Sequence, residues 1–454
     1  MTDIAIIVLA AGQGTRMKSR LPKVLHRLAG RSMLGHVLAL AREINPARLA
    51  VVHGPGEEGA MVAAEARAQA PEAALAEQAE RLGTGHAVMQ ALAALEGFSG
   101  TVLVLYGDVP LLRAEVLEGL LALVSEQQPL AVLGFEAAEP GGYGRLLTMP
   151  GGAGLEAIVE ARDATAEQLR ITLCNSGVMA IDAELLRELL PRLSNDNKQG
   201  EYYLTDLVAL TRAGNRPVGL ALCEEEDVLG VNDRVQLAEA ERVMQRRLRE
   251  QAMRAGATFI DPDSAFLSTD TEIGRDVVIG PFVVIGPGVR IADEVIIHSH
   301  CHLEGAVVER GAQVGPFARL RPGAVIEAGA KVGNFVEIKN ASVETGAKVN
   351  HLSYIGDARV GANANIGAGT ITCNYDGYLK HRTDIGAGAF IGSNTALVAP
   401  VKVGDGALVA AGSTITKDVP ADALAIERAE QRISEGWAAR YRKRKAAEKA
   451  RRKR

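Results

Sequence analysis

An aliphatic residue that returns every six positions constrains this chain more than any other feature. Ile273, Ile279, Ile285, Ile291, Ile297 and Leu303 keep strict step. The count resumes from Val314 through Leu320, Ile326 and Val332 to Ile338, and slips before Val349, Ile355, Val360 and Ile366. It ends with an unbroken run from Ile385 to Ile415. Glycine often follows the aliphatic residue, as at Gly274, Gly280 and Gly286, and a second small or branched residue stands four places on, as at Val277, Val283 and Cys301. Six is no helix period, and a lone strand repeats at two. A hexad held over roughly 140 residues predicts a parallel β-helix, with three short strands to a triangular turn of about 18 residues. Successive turns must stack, because no single turn buries its own core.

Length and composition frame the rest. At 454 residues, with the repeat filling the last third or more, two large domains are expected. Hydrophobic content of 47% with 23% charge suits a globular protein, and only 4% aromatics suits a core of Val, Ile, Leu and Ala. The first apolar run, Ile4 to Ala11, is too short for a signal peptide and has no basic leader. No run of 18 apolar residues predicts a membrane span. Cys174, Cys223, Cys301 and Cys373 are scattered without a CxxC pair, which fits free thiols in a reducing cytoplasm. The net charge of −5 hides a tail, 440–454, with ten Lys or Arg against one Glu. Tyr441 is its lone aromatic, so a solvated, disordered end is expected and nucleic acid is not expected as a partner.

The N-terminal half alternates. Buried-strand runs at 4–9, 49–52, 101–106, 130–135 and 218–223 are separated by helical patterns at 33–44, 59–69, 86–95 and 114–125. That order predicts a Rossmann-like α/β domain over 1–232, with ligands at the carboxyl ends of its parallel strands. The segment 233–255 lacks Gly and Pro and reads as one long exposed linker helix before a β-helix domain over 256–454. The first strand breaks into AAGQGTRM (10–17), where Gly12 and Gly14 let a backbone approach phosphates. The loop is neither a Walker A loop nor a dinucleotide GxGxxG.

LAAGQGTRM (9–17) followed by LPKVLH (21–26) resembles the signature of the sugar-1-phosphate nucleotidyltransferases. In such a reaction charge grows on the leaving pyrophosphate, so fixed cations help most in the transition state; Arg16 and Lys23 are the candidates. The resemblance implies Mg²⁺ held by Asp108, in YGDVP (106–110), and by Asn232, in GVND (230–233). Read by itself, Asn232 would be a helix N-cap. More segments match one branch of that family. AEQAERLGTGHA (76–87), GGYGR (141–145), IVEARDAT (158–165), CNSGV (174–178) and GEYYLTD (200–206) resemble the bacterial bifunctional N-acetylglucosamine-1-phosphate uridyltransferase/glucosamine-1-phosphate acetyltransferases. That family implies a nucleotide and sugar pocket of Leu9, Ala10, Ala11, Gly12, Gly14, Lys23, Gln78, Gly83, Thr84, Tyr106, Gly107, Asp108, Gly144, Glu160, Asn175 and Asn232. GEYYLTD reads as structural. The family also implies that the β-helix is left-handed, against the usual crossover rule.

The coil carries its own constellation. Arg321 and Lys339 are 18 residues apart in phase, so they stack about 4.8 Å apart, and a sugar phosphate bridging them would relieve their repulsion. His351, in NHLSYIG (350–356), falls where the six-step slips. The resemblance makes it the general base, a role imidazole suits because it titrates near neutrality. Tyr354 and Asn365 would orient glucosamine-1-phosphate with Arg321 and Lys339. CNYDGYLKHRTD (373–384) interrupts the repeat as a loop. By resemblance Ala368, Asn374, Tyr375, Ser393, Ala411 and Arg428 bind acetyl-CoA, although Ala429 and Glu430 replace the Val-Pro expected after Arg428. UTP is the implied second substrate and a cytoplasmic homotrimer the implied assembly. The alternative reading is a monofunctional sugar-1-phosphate nucleotidyltransferase whose coil serves assembly.

Overall fold

The computed structural model describes residues 3–149 and 154–452. The chain divides into two compact units, Met1–Gln251 with Leu267–Thr269, and Ala252–Phe266 with Asp270–Arg454.

The first unit is built on a twisted sheet. Its strands lie in the order Val218–Cys223, Leu130–Glu136, Leu173–Asp182, Thr101–Tyr106, Ile4–Ala10, Arg48–His53, Ala74–Glu77. Ile4–Ala10 pairs in parallel with both neighbours and is buried along almost its whole length, as its unbroken apolar run requires. Leu173–Asp182 runs antiparallel to both of its neighbours and was not evident as a strand, since its CNSG stretch interrupts the apolar pattern. Helices Met33–Glu43, Gly56–Gln69 and Thr84–Ala91 cover the sheet. The fourth expected helix ends early, at Leu121 rather than 125, with Ala122 as its C-cap. The linker pattern forms the helix Arg234–Arg254, which is not wholly exposed: Ala240 and Val243 bury against Leu28, Met33, Leu111 and Val231.

The second unit is the coil. Three parallel sheets of ten, nine and eight strands form its faces among the described residues. Strands of two to four residues place the hexad aliphatics inside, with Ile279, Ile297 and Leu303 fully buried. The second residue type also points inward, at Val277, Val283 and Cys301. The coil starts before the expected Ile273, with Thr258–Phe259 already paired to Val278–Ile279, and ends at Leu424–Ala425. Glycine is not the general corner device. At one corner Phe282, His300, Phe317 and Phe335 take the left-handed conformation, φ 56–60°, one above another. Their rings stack at 5.0, 4.7 and 5.0 Å. Left-handed L-residues cost about 1–2 kcal/mol each. Stacked pairs return about 0.5–1.5 kcal/mol, so the sheet pairing above and below supplies the rest.

The basic tail corrects an expectation. Its described residues lie in the helix Trp437–Arg452, none of them buried, rather than in a disordered end. Ala, Arg and Lys are strong helix formers, and Glu448 pairs with Lys445 and Arg452 at helical spacing. The last two tail residues lie outside the described ones. All four cysteines are free, and no helix among the described residues is long and apolar enough to cross a membrane.

Candidate active sites

In the first unit the glycine loop closes over a lysine. Gly14 has φ +60°, and a Cβ there would lie 2.4 Å from the Cβ of Lys23, so only glycine lets the loop cross the lysine stem. A Cβ on Gly12 would meet nothing, which leaves open space on that side of the loop. Lys23 follows Pro22 at the start of a short 3-10 turn, and its Nζ ion-pairs with Asp108 and donates to Asn232 Oδ1 at 3.1 Å. Asp108 lies just past the strand ending at Tyr106. There Gly107 N donates to Leu9 O and Val231 N to Asp108 O, both at 2.9 Å. Asn232 is not the cap of the linker helix. Asp233 Oδ1 accepts from the backbone of Val235 and Gln236, which leaves the Asn232 carbonyl oxygen to the lysine. Leu9, Ala10 and Ala11 are buried, and Ala11 O accepts from Arg81 Nε at 2.8 Å. Arg81 was not singled out from the sequence; nothing but position marks it. Arg16 is exposed, and its side chain has no hydrogen bond or ion pair among the described residues.

A second cluster surrounds the start of the Thr84–Ala91 helix. Gln78 is buried, donating to Gly83 O at 3.0 Å and lying 3.2 Å from His86 Nδ1. A Cβ on Gly83 or Gly85 would press within 3 Å of the Tyr202 backbone. GEYYLTD is therefore the brace of this loop: Tyr202 N donates to Leu82 O and Leu204 N to Thr84 Oγ1. Thr84 also hydrogen-bonds with Tyr106, whose phenol is pushed well up by burial, with Glu160 and Asp108 adding to it.

Gly144, Glu160 and Asn175 form a third. Asn175 N donates to Gly144 O at 2.8 Å, and a Cβ on Gly144 would lie 3.5 Å from Glu160 Oε2. Burial raises the Glu160 carboxyl, opposed by a Thr205 hydroxyl that donates to it at 3.0 Å.

In the coil one corner makes a column. Asn334, His351, Ala368, Ser393 and Ala411 occupy the same place in successive turns. Leu352 N donates to Asn334 O, Gly369 N to His351 O, Asn394 N to Ala368 O and Gly412 N to Ser393 O. His351 is exposed, and its Nδ1 lies 2.7 Å from Asn334 Oδ1. Arg428 reaches this column and donates to Ala411 O at 2.7 Å. Asn365 stands on the strand that leads into it. On the next face Arg321 and Lys339 do stack, as Leu320 pairs with Ile338. The arginine is not left to repel the lysine, however: it ion-pairs with Glu337 at 2.8 Å. Tyr354 and Asn374 are 3.5 Å apart, and Asn374 also hydrogen-bonds Asp357, which takes a 2.7 Å bond from Asn340. Tyr375 is exposed in the interrupting loop, its hydroxyl donating to Gly377 O.

The carboxylate of Asp108 and the carbonyl of Asn232 already converge on one cation, the Lys23 ammonium, so their oxygens fit a hard metal ion. Among the described residues no group of three or more His, Cys, Asp or Glu could hold a metal unaided. An ion here would lean on substrate oxygens.

Residues 6–203 match the family described as MobA-like NTP transferase domain, and 270–305 and 382–417 match bacterial transferase hexapeptide (six repeats). Fold and family matches define a nucleotidyltransferase joined to a transferase of the left-handed parallel β-helix class. Three curated relatives, each named bifunctional protein GlmU, span nearly the whole chain. That of Rhodospirillum rubrum is 60% identical, covering 97% of this chain and 98% of its own. That of Paramagnetospirillum magneticum is 57% identical over 99% of both, and that of Azorhizobium caulinodans 56% identical over 96% and 97%. The chain belongs to this GlmU family of bifunctional proteins, and is a bifunctional transferase with uridyltransferase and acetyltransferase activities in UDP-N-acetylglucosamine synthesis.

Proposed function

We propose that the two activities are divided between the units, with uridylyl transfer in residues 1–232 and acetyl transfer in 256–454, joined by the helix pattern at 233–255. The observation that carries this is that each unit brings a polar cluster together from its own residues: Lys23 with Asp108 and Asn232 in one, His351 on Asn334 in the other. In the coil, His351 accepts a proton from the amine of glucosamine-1-phosphate as that nitrogen attacks the thioester carbonyl of acetyl-CoA. The C–S bond breaks and coenzyme A leaves as the thiol. Asn334 fixes the imidazole through Nδ1, which leaves Nε2 for the substrate. Arg321 and Lys339 hold the sugar phosphate, with Tyr354 and Asn365 on the sugar. The corner column of Ala368, Ser393 and Ala411, with Arg428, and the loop residues Asn374 and Tyr375 hold acetyl-CoA.

In the first unit the N-acetylglucosamine-1-phosphate oxygen attacks the α-phosphorus of UTP, and the bond to the β-phosphate breaks to release pyrophosphate. Lys23 and Arg16 offset the charge that builds on the phosphates, beneath the loop of Gly12 and Gly14. Gln78, Gly83 and Thr84 read the base, and Gly144, Glu160 and Asn175 read the sugar. Asp108 and Asn232 would hold Mg²⁺, which when bound neutralises phosphate charge. The active form is a cytoplasmic homotrimer, an assembly with which hexapeptide repeats are compatible. The test is a product assay with glucosamine-1-phosphate, acetyl-CoA, UTP and Mg²⁺, leaving out one component at a time. Free thiol should appear without UTP, and pyrophosphate only with UTP and an acetylated sugar phosphate. Thiol release that persists when residues 256–454 carry His351→Ala overturns the division.

A further inference from the structure

Lys23 lies between the two side chains to which the proposed function assigns a metal ion. Its Nζ ion-pairs with Asp108 and donates to Asn232 Oδ1, and both charged side chains are shielded, 11% exposed for Lys23 and 21% for Asp108. The pairing is built rather than incidental. Pro22 starts the turn that presents the lysine, and the left-handed Gly14 packs directly on its Cβ, so the stem is fixed beneath the glycine loop. The carboxylate end is fixed too, since Val231 N holds Asp108 O one residue before Asn232. An ammonium and a divalent ion cannot share two oxygens in a site with little water to screen them.

We propose that in the free enzyme the Lys23 ammonium is the resident cation of the divalent-metal site, so that metal enters with the nucleotide and not ahead of it. A triphosphate lying along the glycine loop gives the ammonium anionic oxygens beside its own stem. Lys23 then leaves Asp108 and Asn232, and the same movement that opens the metal site places a positive charge on the phosphates. One side chain thereby couples nucleotide arrival to metal entry, and the metal-free site keeps no unpaired carboxylate. The inference goes beyond the proposed function and rests on its assignment of Asp108 and Asn232 as metal oxygens.

The test uses Mn²⁺ alone as the probe, titrated into the full-length chain without nucleotide and read by the paramagnetic resonance of the unbound ion. Lys23→Met and Lys23→Gln, checked for folding by melting temperature, should bind Mn²⁺ about tenfold tighter than the parent chain, the penalty expected if the paired arrangement fills nine-tenths of the free enzyme. Adding Asp108→Ala to either should abolish the gain. If both lysine variants bind no tighter while Asp108→Ala abolishes binding in the parent, the lysine is no gate and the metal assignment survives. If Asp108→Ala changes binding in no background, the assignment fails and the inference with it.

Discussion

In the first unit, the residues that converge on one cation lie 85 and 209 positions apart in the chain. In the coil, the residues of the corner column follow one another a single turn apart, His351 pairing with Asn334 only 17 positions back. An α/β sheet collects its site from the carboxyl ends of strands and from loops of unrelated length, so distance along the chain carries no information about contact. A coil converts distance along the chain into height, and a site becomes a stack. The first kind of site depends on every loop being placed by its own packing; the second depends on one repeat being kept, or broken, at the right turn.

The sharpest way to break this comparison is to disable each site alone. His351→Ala should lower acetyl transfer by about 10²–10⁴-fold, the usual worth of a general base, and leave uridylyl transfer unchanged. Asp108→Asn should do the reverse. Paired assays of thiol and pyrophosphate on the same preparations check both, and loss of both activities from either change would merge the two sites into one.

Stability should divide along the same line. Leu103 and Ile338 are both fully buried, one in the sheet and one in the coil. Truncating either to alanine should cost about 2–5 kcal/mol. Ile338→Ala should lower only the calorimetric transition of the coil, where each turn leans on its nearest neighbours, and Leu103→Ala only that of the sheet unit. A single transition that shifts with both changes would show that the units unfold as one.

How much could be read from the sequence follows from the same contrast. The coil's inner residues were legible because six is a period nothing else produces, and Arg321 over Lys339 followed from counting. Counting failed where the repeat does. Eighteen positions before His351 is Gly333, whereas the structure sets Asn334 against the histidine because that turn is one residue short. The partner of the proposed base was therefore hidden by the slip that marks it. The loop 373–384 widens the next step, so that Ala358 pairs with Thr383 across 25 positions. Glu337, which pairs with Arg321, sits in plain view in VEIKN, and opposite charge two residues before Lys339 was the signal for it. In the first unit five strands were legible as apolar runs, whereas Ala74–Glu77 and Leu173–Asp182 were not, and the grouping of Lys23 with Asp108 and Asn232 came through the family resemblance. No spacing rule would have separated Asn232 from its neighbour Asp233, which does the capping.

The Asn334 contact gives a smaller and more specific test. Asn334→Ala leaves the imidazole in place but free to turn, so acetyl transfer should fall about tenfold to a hundredfold, in kcat more than in KM, as expected for a misaligned catalytic group. Uridylyl transfer serves as the internal control. Asn334→Asp, which keeps an acceptor at the same place, should recover most of the loss. If alanine is harmless, the column is only a stack of backbone.

The smallest expected effect lies in the first unit, at Glu160, and concerns stability against pH. Burial raises this carboxyl above its ordinary value, with Asp206, Asp163 and Glu201 adding to the shift. In acid the group is protonated both folded and unfolded, and it costs nothing. As pH rises past the unfolded value of about 4.3, the unfolded chain gives up its proton more readily than the folded one, so stability falls. Glu160→Gln cannot ionise, yet its carbonyl can still accept from the Thr205 hydroxyl. The variant should match the parent near pH 4 in denaturant midpoint and exceed it near pH 7, while losing uridylyl transfer. The coil gives the control, since Asp376 is held down to about 2 by the backbone of Leu379 and Tyr378 and by His381, and contributes in the opposite sense. Asp376→Asn should therefore lose stability at pH 7 and regain parity only in strong acid. If both substitutions move stability in the same direction at pH 7, burial is not what sets Glu160 apart.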